Sequence, residues 1–142
     1  MRAAAADSLH ELVETLLPEP ALREPLVAAL FDSDDPAVRT AALSTGCPAG
    51  LAAEAVEALG DPAWQVRAGA ATALRAAASG LAVPTLAKAL GDPDADVRKA
   101  AVLSLLRHDH ADARAALATA TSDPDADVRA YAARSVTSAR PA

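Results

Sequence analysis

Residues Gly91 to Leu105 read GDPDADVRKAAVLSL, and this text recurs along the chain. Related text stands at residues 122–133 (SDPDADVRAYAA), 60–71 (GDPAWQVRAGAA) and 34–43 (DDPAVRTAAL). The arginines of the last three copies are 31 residues apart, and those of the first two are 28 apart. Recurrence at a period of this size predicts an array of structural repeats.

Each copy is predicted to begin a helix at its Asp-Pro pair. The carboxylate can accept otherwise unpaired amide protons, and the proline supplies a preset φ angle without an amide proton. Apolar residues then follow the arginine by three, four and seven positions, a spacing that defines one face of an α-helix. We expect these positions to be buried: Ala70, Ala71, Leu74, Ala101, Val102, Leu105, Ala132, Ala133 and Val136.

A second apolar run follows each copy, so the predicted unit is helix A, turn, helix B, turn. Phe31 aligns with Leu59 and Leu90 near the end of helix B, which predicts a core side chain. The helix at residues 3–17 lacks the repeated text, as expected for a terminal unit whose outer face meets water. Units are predicted at residues 3–31, 35–59, 62–90 and 93–121, followed by a single helix at 125–139.

The pattern D-P-x-x-x-V-R-x-x-A-A-x-x-x-L, followed by P-x-L-x-x-x-L, resembles the HEAT repeat over residues 20–139. The resemblance is to the short type also found in phycobilisome bilin-lyase subunits. It implies an all-α fold, a right-handed solenoid of four to five helical pairs with about nine helices. It also implies that the B helices form the concave binding surface.

Composition narrows the classes of function. Hydrophobic residues make up 52% of the chain but aromatic residues only 2%, so the core must be built from Ala, Leu and Val. The formal charge of −6 opposes nucleic-acid binding, because phosphate contacts need clustered cations. Residues 1–60 carry ten acidic side chains against three arginines. This half is either a solvated acidic face or a docking surface for a partner protein with a basic surface.

Features that would place the chain outside the cytoplasm are not found in the sequence. Cys47 is a single cysteine, so no disulfide can form within the chain. The first residues lack the apolar run of a secretory signal, and no stretch has the length of a membrane span. The sequence therefore predicts a cytoplasmic protein that does not bind membranes.

The most regular polar feature pairs arginines with aspartates. Because equivalent positions of stacked units lie one above another, the arginine of one unit can meet the aspartate of the next. The resemblance implies that this ladder is structural, and the adjacent acids disfavour a row that binds polyanions. Its members are Arg39, Arg67, Arg98, Arg129, Asp61, Asp92 and Asp123.

The candidate partner-binding residues are a ridge on the B helices and two aromatic residues elsewhere in the chain. An outward ridge of the aligned B helices contains Glu54, Glu57, Thr85, Lys88 and Thr119. Trp64 either packs across a turn or is an exposed interface anchor. Tyr131 lies on the last helix, whose missing partner helix leaves either a surface for self-association or a face packed wholly onto the preceding unit.

Catalytic and metal-binding patterns are weak. His108, Asp109, His110 and Asp112 carry metal-ligand chemistry, but H-x-H in an interhelical turn is better explained as a solvated turn. No G-x-S-x-G and no phosphate-binding loop occur. The sequence predicts a non-catalytic scaffold or adaptor without cofactor or metal. The alternatives are an accessory subunit of a lyase-type or other modifying enzyme, and an oligomeric building block.

Overall fold

The computed structural model describes residues 19–46 and 50–138, and these ranges contain helices and turns but no strand. The predicted helix at residues 3–17 lies outside them. A short 3-10 turn, Leu74–Ala76, extends the fourth helix. The described ranges hold eight α-helices: α1 (Glu19–Asp32), α2 (Pro36–Gly46), α3 (Ala52–Ala58), α4 (Trp64–Ala73), α5 (Ser79–Ala89), α6 (Ala95–Leu105), α7 (Ala111–Ala120) and α8 (Ala126–Ser138).

The helices form two layers. The A helices, α2, α4, α6 and α8, pack each on the next, and so do the B helices α3, α5 and α7. Each B helix, including α1, also packs on the A helix that follows it in the chain. Helix pairs stacked in this way form an α-solenoid, which confirms the predicted all-α fold.

Leucine, valine and alanine build the core between the layers. Small alanines at the third position after each ladder arginine, such as Ala70 and Ala101, are fully buried where the A helices meet. Close approach is visible at Gly69, where an added Cβ would lie 3.0 Å from Thr40 Cγ2 of the preceding A helix. The largest fully buried side chains are Leu30, Leu43, Leu51, Leu74, Leu86, Leu105, Leu117, Val66, Val83, Val97, Val102 and Val128.

The residue at the cap position differs from the predicted aspartate in three of the four copies. The helices α4, α6 and α8 begin at the second residue after the predicted proline, so Asp61, Asp92 and Asp123 precede the cap position. Asp94 caps α6 instead, accepting a hydrogen bond from the Asp96 amide at 2.8 Å. Only at α2 does an Asp-Pro pair start the helix directly, with the Asp35 carboxylate accepting from the Ala37 amide at 2.9 Å.

Two predicted core positions are exposed. Phe31 is 41% exposed, because its position lies in the last turn of a B helix, where even the aligned Leu59 and Leu90 are only half-buried. Ala133 is also exposed, whereas the equivalent Val102 is buried. The reason is that α6 faces the following A helix, and the described residues contain no A helix after α8.

Candidate protein-binding surfaces

Arg39, Arg67 and Arg98 of the ladder each make a two-pronged ion pair with the aspartate of the next unit. Arg39 Nε donates to Asp61 Oδ2 at 2.9 Å, and its Nη2 donates to Oδ1 at 3.0 Å. The Nε distances are 2.8 Å for Arg67 with Asp92 and 3.0 Å for Arg98 with Asp123. Planar guanidinium groups match carboxylates in this geometry, which fixes the orientation of both partners.

Each ladder arginine also binds the turn before its own helix. Arg67 Nη1 donates to the carbonyl oxygen of Asp61 at 2.9 Å, and Arg98 Nη1 donates to that of Asp92 at 2.9 Å. The carboxylate of Asp61 additionally accepts from the Ala63 amide at 2.8 Å. The result is one continuous hydrogen-bonded spine that connects the successive B-to-A turns.

Two members of the spine, Asp61 and Arg67, have shifted pKa values. Burial alone would raise the pKa of Asp61, but the hydrogen bonds from Arg39 and from the Ala63 amide outweigh burial and hold that pKa below 3.8. The hydrogen bond to Asp92 raises the pKa of Arg67. Asp61 and Arg67 each form an ion pair within the molecule, so their charged groups are not free to bind a ligand.

Arg129 is the member of the spine without an aspartate partner in the described ranges. Its Nη1 donates to the carbonyl oxygens of Asp123 at 2.7 Å and Pro124 at 2.9 Å. The Nη1 atoms of Arg67 and Arg98 make the equivalent contacts in their own turns. The side chain is exposed, unlike those of Arg67 and Arg98.

The predicted B-helix ridge is not a uniform surface. Glu54 is ion-paired with Arg23 of α1, and only 13% of its side chain is exposed. Glu57, Lys88 and Thr119 are exposed. Of the two acids in the ridge, only Glu57 is therefore open to a partner.

A groove of about 440 Å³ separates α3 from α5 on the B-helix side. Val56, Leu59 and Pro84 supply apolar walls, while Thr85 and Lys88 supply polar groups. We call this the B-helix groove. It unites two of the predicted ridge residues with apolar neighbours, which sequence alignment alone did not identify, because α3 and α5 come together only through stacking.

The two predicted aromatic positions differ in exposure. Trp64 begins α4 and is 41% exposed. Tyr131 of α8 is partly buried against the core, and the Arg134 guanidinium lies 4.7 Å from its ring centroid. Trp64 is thus available to a partner, whereas much of Tyr131 is covered within the chain.

His108 was predicted in a solvated turn, and this prediction is wrong. Its side chain is buried, with Nε2 3.0 Å from the Leu74 carbonyl oxygen and Nδ1 2.8 Å from Ser79 Oγ. Because a carbonyl only accepts, Nε2 carries a proton and donates to the Leu74 carbonyl oxygen. Nearby, Ser104 Oγ donates to the Ala71 carbonyl oxygen at 2.6 Å. His108 therefore connects its turn to the preceding unit, whereas Asp109 and Asp112 of the same cluster are exposed.

Clusters of metal-binding side chains and membrane-spanning helices are not found where the structure is described. No group of three or more His, Cys, Asp or Glu side chains in residues 19–46 and 50–138 could hold a metal ion. Within the same ranges no helix is both long enough and apolar enough to span a bilayer.

Stacked helix pairs tied by a polar spine define a helical-repeat protein of the solenoid class. Comparison with known families matches residues 52–137, more than half of the chain, to HEAT repeats. The chain belongs to the HEAT-repeat family. HEAT repeats commonly mediate protein–protein interaction, and the family is generally a non-catalytic scaffold. A search of curated proteins found no match to the chain.

Proposed function

We propose that this protein is a non-catalytic scaffold or adaptor that binds another protein through the B-helix groove. The observation that carries the proposal is the groove itself, an open cleft with apolar walls across two consecutive B helices. Clefts of this kind accept an apolar side chain of a partner, and polar groups at the rim fix its orientation.

The surroundings of the groove favour a protein partner with a basic surface. Glu57 is exposed on the same helix as Val56, and it forms no ion pair with any described residue. The formal charge of −6 adds a long-range attraction for a cationic partner, which raises the association rate more than the final affinity. Leu81 of α5, 39% exposed, extends the apolar area available on the B-helix side.

The proposal is tested by affinity capture from the native host with three baits. The first is the wild-type chain and the second is the double variant Thr85→Arg, Glu57→Lys, which fills the groove and replaces the exposed acid beside it by a cation. The third is the control Ala115→Glu, which changes an exposed residue of α7 outside the groove. Thermal melts of all three baits establish that the fold is intact.

Each captured protein is then purified and titrated against the three baits by calorimetry. We expect a cationic protein to bind the wild-type chain and the control equally, and the double variant at least about tenfold more weakly. Equal affinity of the purified partner for all three baits would contradict the use of this groove. Turnover of a small molecule by the chain itself would contradict the non-catalytic role.

A further inference from the structure

A second groove lies on the A-helix side, at the opposite ends of the A helices from the Asp-Pro turns. It has a volume of about 590 Å³ and contains Arg75, Arg107 and Arg134 around Leu103. We call it the arginine groove. We propose that it binds an acidic segment of a partner protein in which carboxylates alternate with apolar side chains.

The charge balance of the chain makes this cluster unusual. Most cations in residues 19–46 and 50–138 are ion-paired, including Arg39, Arg67 and Arg98 of the spine. Five are not ion-paired to a described residue: Arg75, Lys88, Arg107, Arg129 and Arg134. Three of these five, Arg75, Arg107 and Arg134, line this one groove. None of the residues that line the arginine groove is acidic. A ligand that supplies carboxylates would therefore complete pairings that the chain leaves open.

Helix dipoles account for only part of the cluster. Arg75 lies in the 3-10 turn after α4 and Arg107 lies just beyond α6, where cations favour the negative helix end. Arg134 lies inside α8 before its last turn, so its position has no such explanation. Its guanidinium is held over the Tyr131 ring, which orients it before a ligand binds.

The apolar part of the groove distinguishes a peptide from a polyphosphate. Leu103 is 41% exposed between the arginines, and Leu106 and Ala100 are only partly buried beside it. A nucleic-acid backbone would leave this apolar surface unused, and the net charge of −6 would repel it. An acidic protein segment with an apolar side chain satisfies both kinds of contact.

The helix spacing sets the expected spacing of the acids. The three arginines belong to successive A-helix rows, and packed helices lie about 8–10 Å apart. A polyproline II segment advances about 3.1 Å per residue and turns once every three residues, so acids three residues apart lie on one face, about 9 Å apart, and would reach neighbouring rows. The predicted ligand therefore has an acid at about every third position, with an apolar residue between.

The probe is a fluorescein-labelled peptide, Glu-Leu-Ala-Glu-Leu-Ala-Glu, and binding is followed by fluorescence anisotropy at low salt. One comparison peptide replaces each Glu by Gln, and another replaces each Leu by Ser. The protein variants are the triple Arg75→Glu, Arg107→Glu, Arg134→Glu and the matched control Lys88→Glu, which reverses an exposed cation in the other groove.

We expect the triple variant to bind the peptide at least about tenfold more weakly than wild type, and the control to bind within about twofold. The Gln peptide should lose binding, and the Ser peptide should bind about tenfold more weakly. Equal binding by the triple variant, equal binding of the Gln peptide, or no binding at about 1 mM would overturn the proposal. Tighter binding of a single-stranded oligonucleotide than of the peptide would overturn it in favour of nucleic acid. The Lys88→Glu arm keeps this result separate from the B-helix groove.

Discussion

At the scale of single residues, Asp61 performs two tasks. Its carboxylate orders the turn before α4 through the Ala63 amide, and it also closes the ion pair with Arg39 of the preceding unit. With 13% of its side chain exposed, it is screened from water far more than an ordinary surface carboxylate. Charge at this position is therefore expected to contribute to the free energy of unfolding.

The pH dependence of that contribution has a defined sign. The folded pKa of Asp61 lies below the ordinary 3.8, so its stabilisation is complete above that value and is lost as the pH falls through the folded pKa. Asp61→Asn keeps an oxygen for the Ala63 amide but removes the charge. We expect it to lower the free energy of unfolding by about 1–3 kcal/mol at neutral pH.

The measurement is urea unfolding of wild type and Asp61→Asn between about pH 7 and about pH 3, where the difference should shrink. The control is Asp109→Asn, which changes a fully exposed carboxylate paired with Arg114 and should shift stability by less than about 0.5 kcal/mol. A difference between wild type and Asp61→Asn that stays constant over this pH range would contradict the role of the charge.

At the scale of helices, one face of each A helix carries most of the packing. In α6, Leu105 is fully buried between the layers, whereas Leu103 two positions earlier is 41% exposed in the arginine groove. Both are leucines in the same helix, so a difference in stability between their Ala variants reports burial and not helix propensity.

Leu105→Ala is expected to lower the free energy of unfolding by about 2–5 kcal/mol, because it removes buried methyl groups and leaves a cavity. Leu103→Ala is the matched control and should lower it by only about 1 kcal/mol, because much of this side chain is already exposed. Chemical denaturation of both variants measures the two values. Similar losses from the two substitutions would show that the inward face of α6 has been assigned wrongly.

The helices and their inward faces follow from sequence because both depend on local spacing. The repeated text places Ala101, Val102 and Leu105 on one side of a helix, and all three are buried. The helix caps were harder to predict, because Asp92 pairs with Arg67 of the preceding unit and Asp94, two residues later, caps α6.

The surfaces were harder to predict because they depend on contacts between distant residues. His108 is buried through partners 29 and 34 positions away, so nothing in its local sequence marks it as a bridge. The arginine groove likewise draws its cations from three separate A helices or the turns after them. Irregular positions of this kind cannot be read from a period of 31 residues.

At the scale of the whole molecule, the stacking of units provides both stability and exposed surface. Each unit contacts only its neighbours, so the array needs no single large core, and its stability is a sum over units and the interfaces between them. The spine ties the B-to-A turns together. This division leaves the outward sides of both layers free to bind other proteins without disturbing the fold.

The most direct test of this account is hydrogen exchange, followed by mass spectrometry, on the chain with and without the purified partner from the capture experiment. The account predicts slower exchange in α3 and α5, which line the B-helix groove, and unchanged exchange in α7. Protection confined to other helices, or none despite saturating partner, would contradict the claim that this solenoid is a scaffold that binds through its B-helix groove.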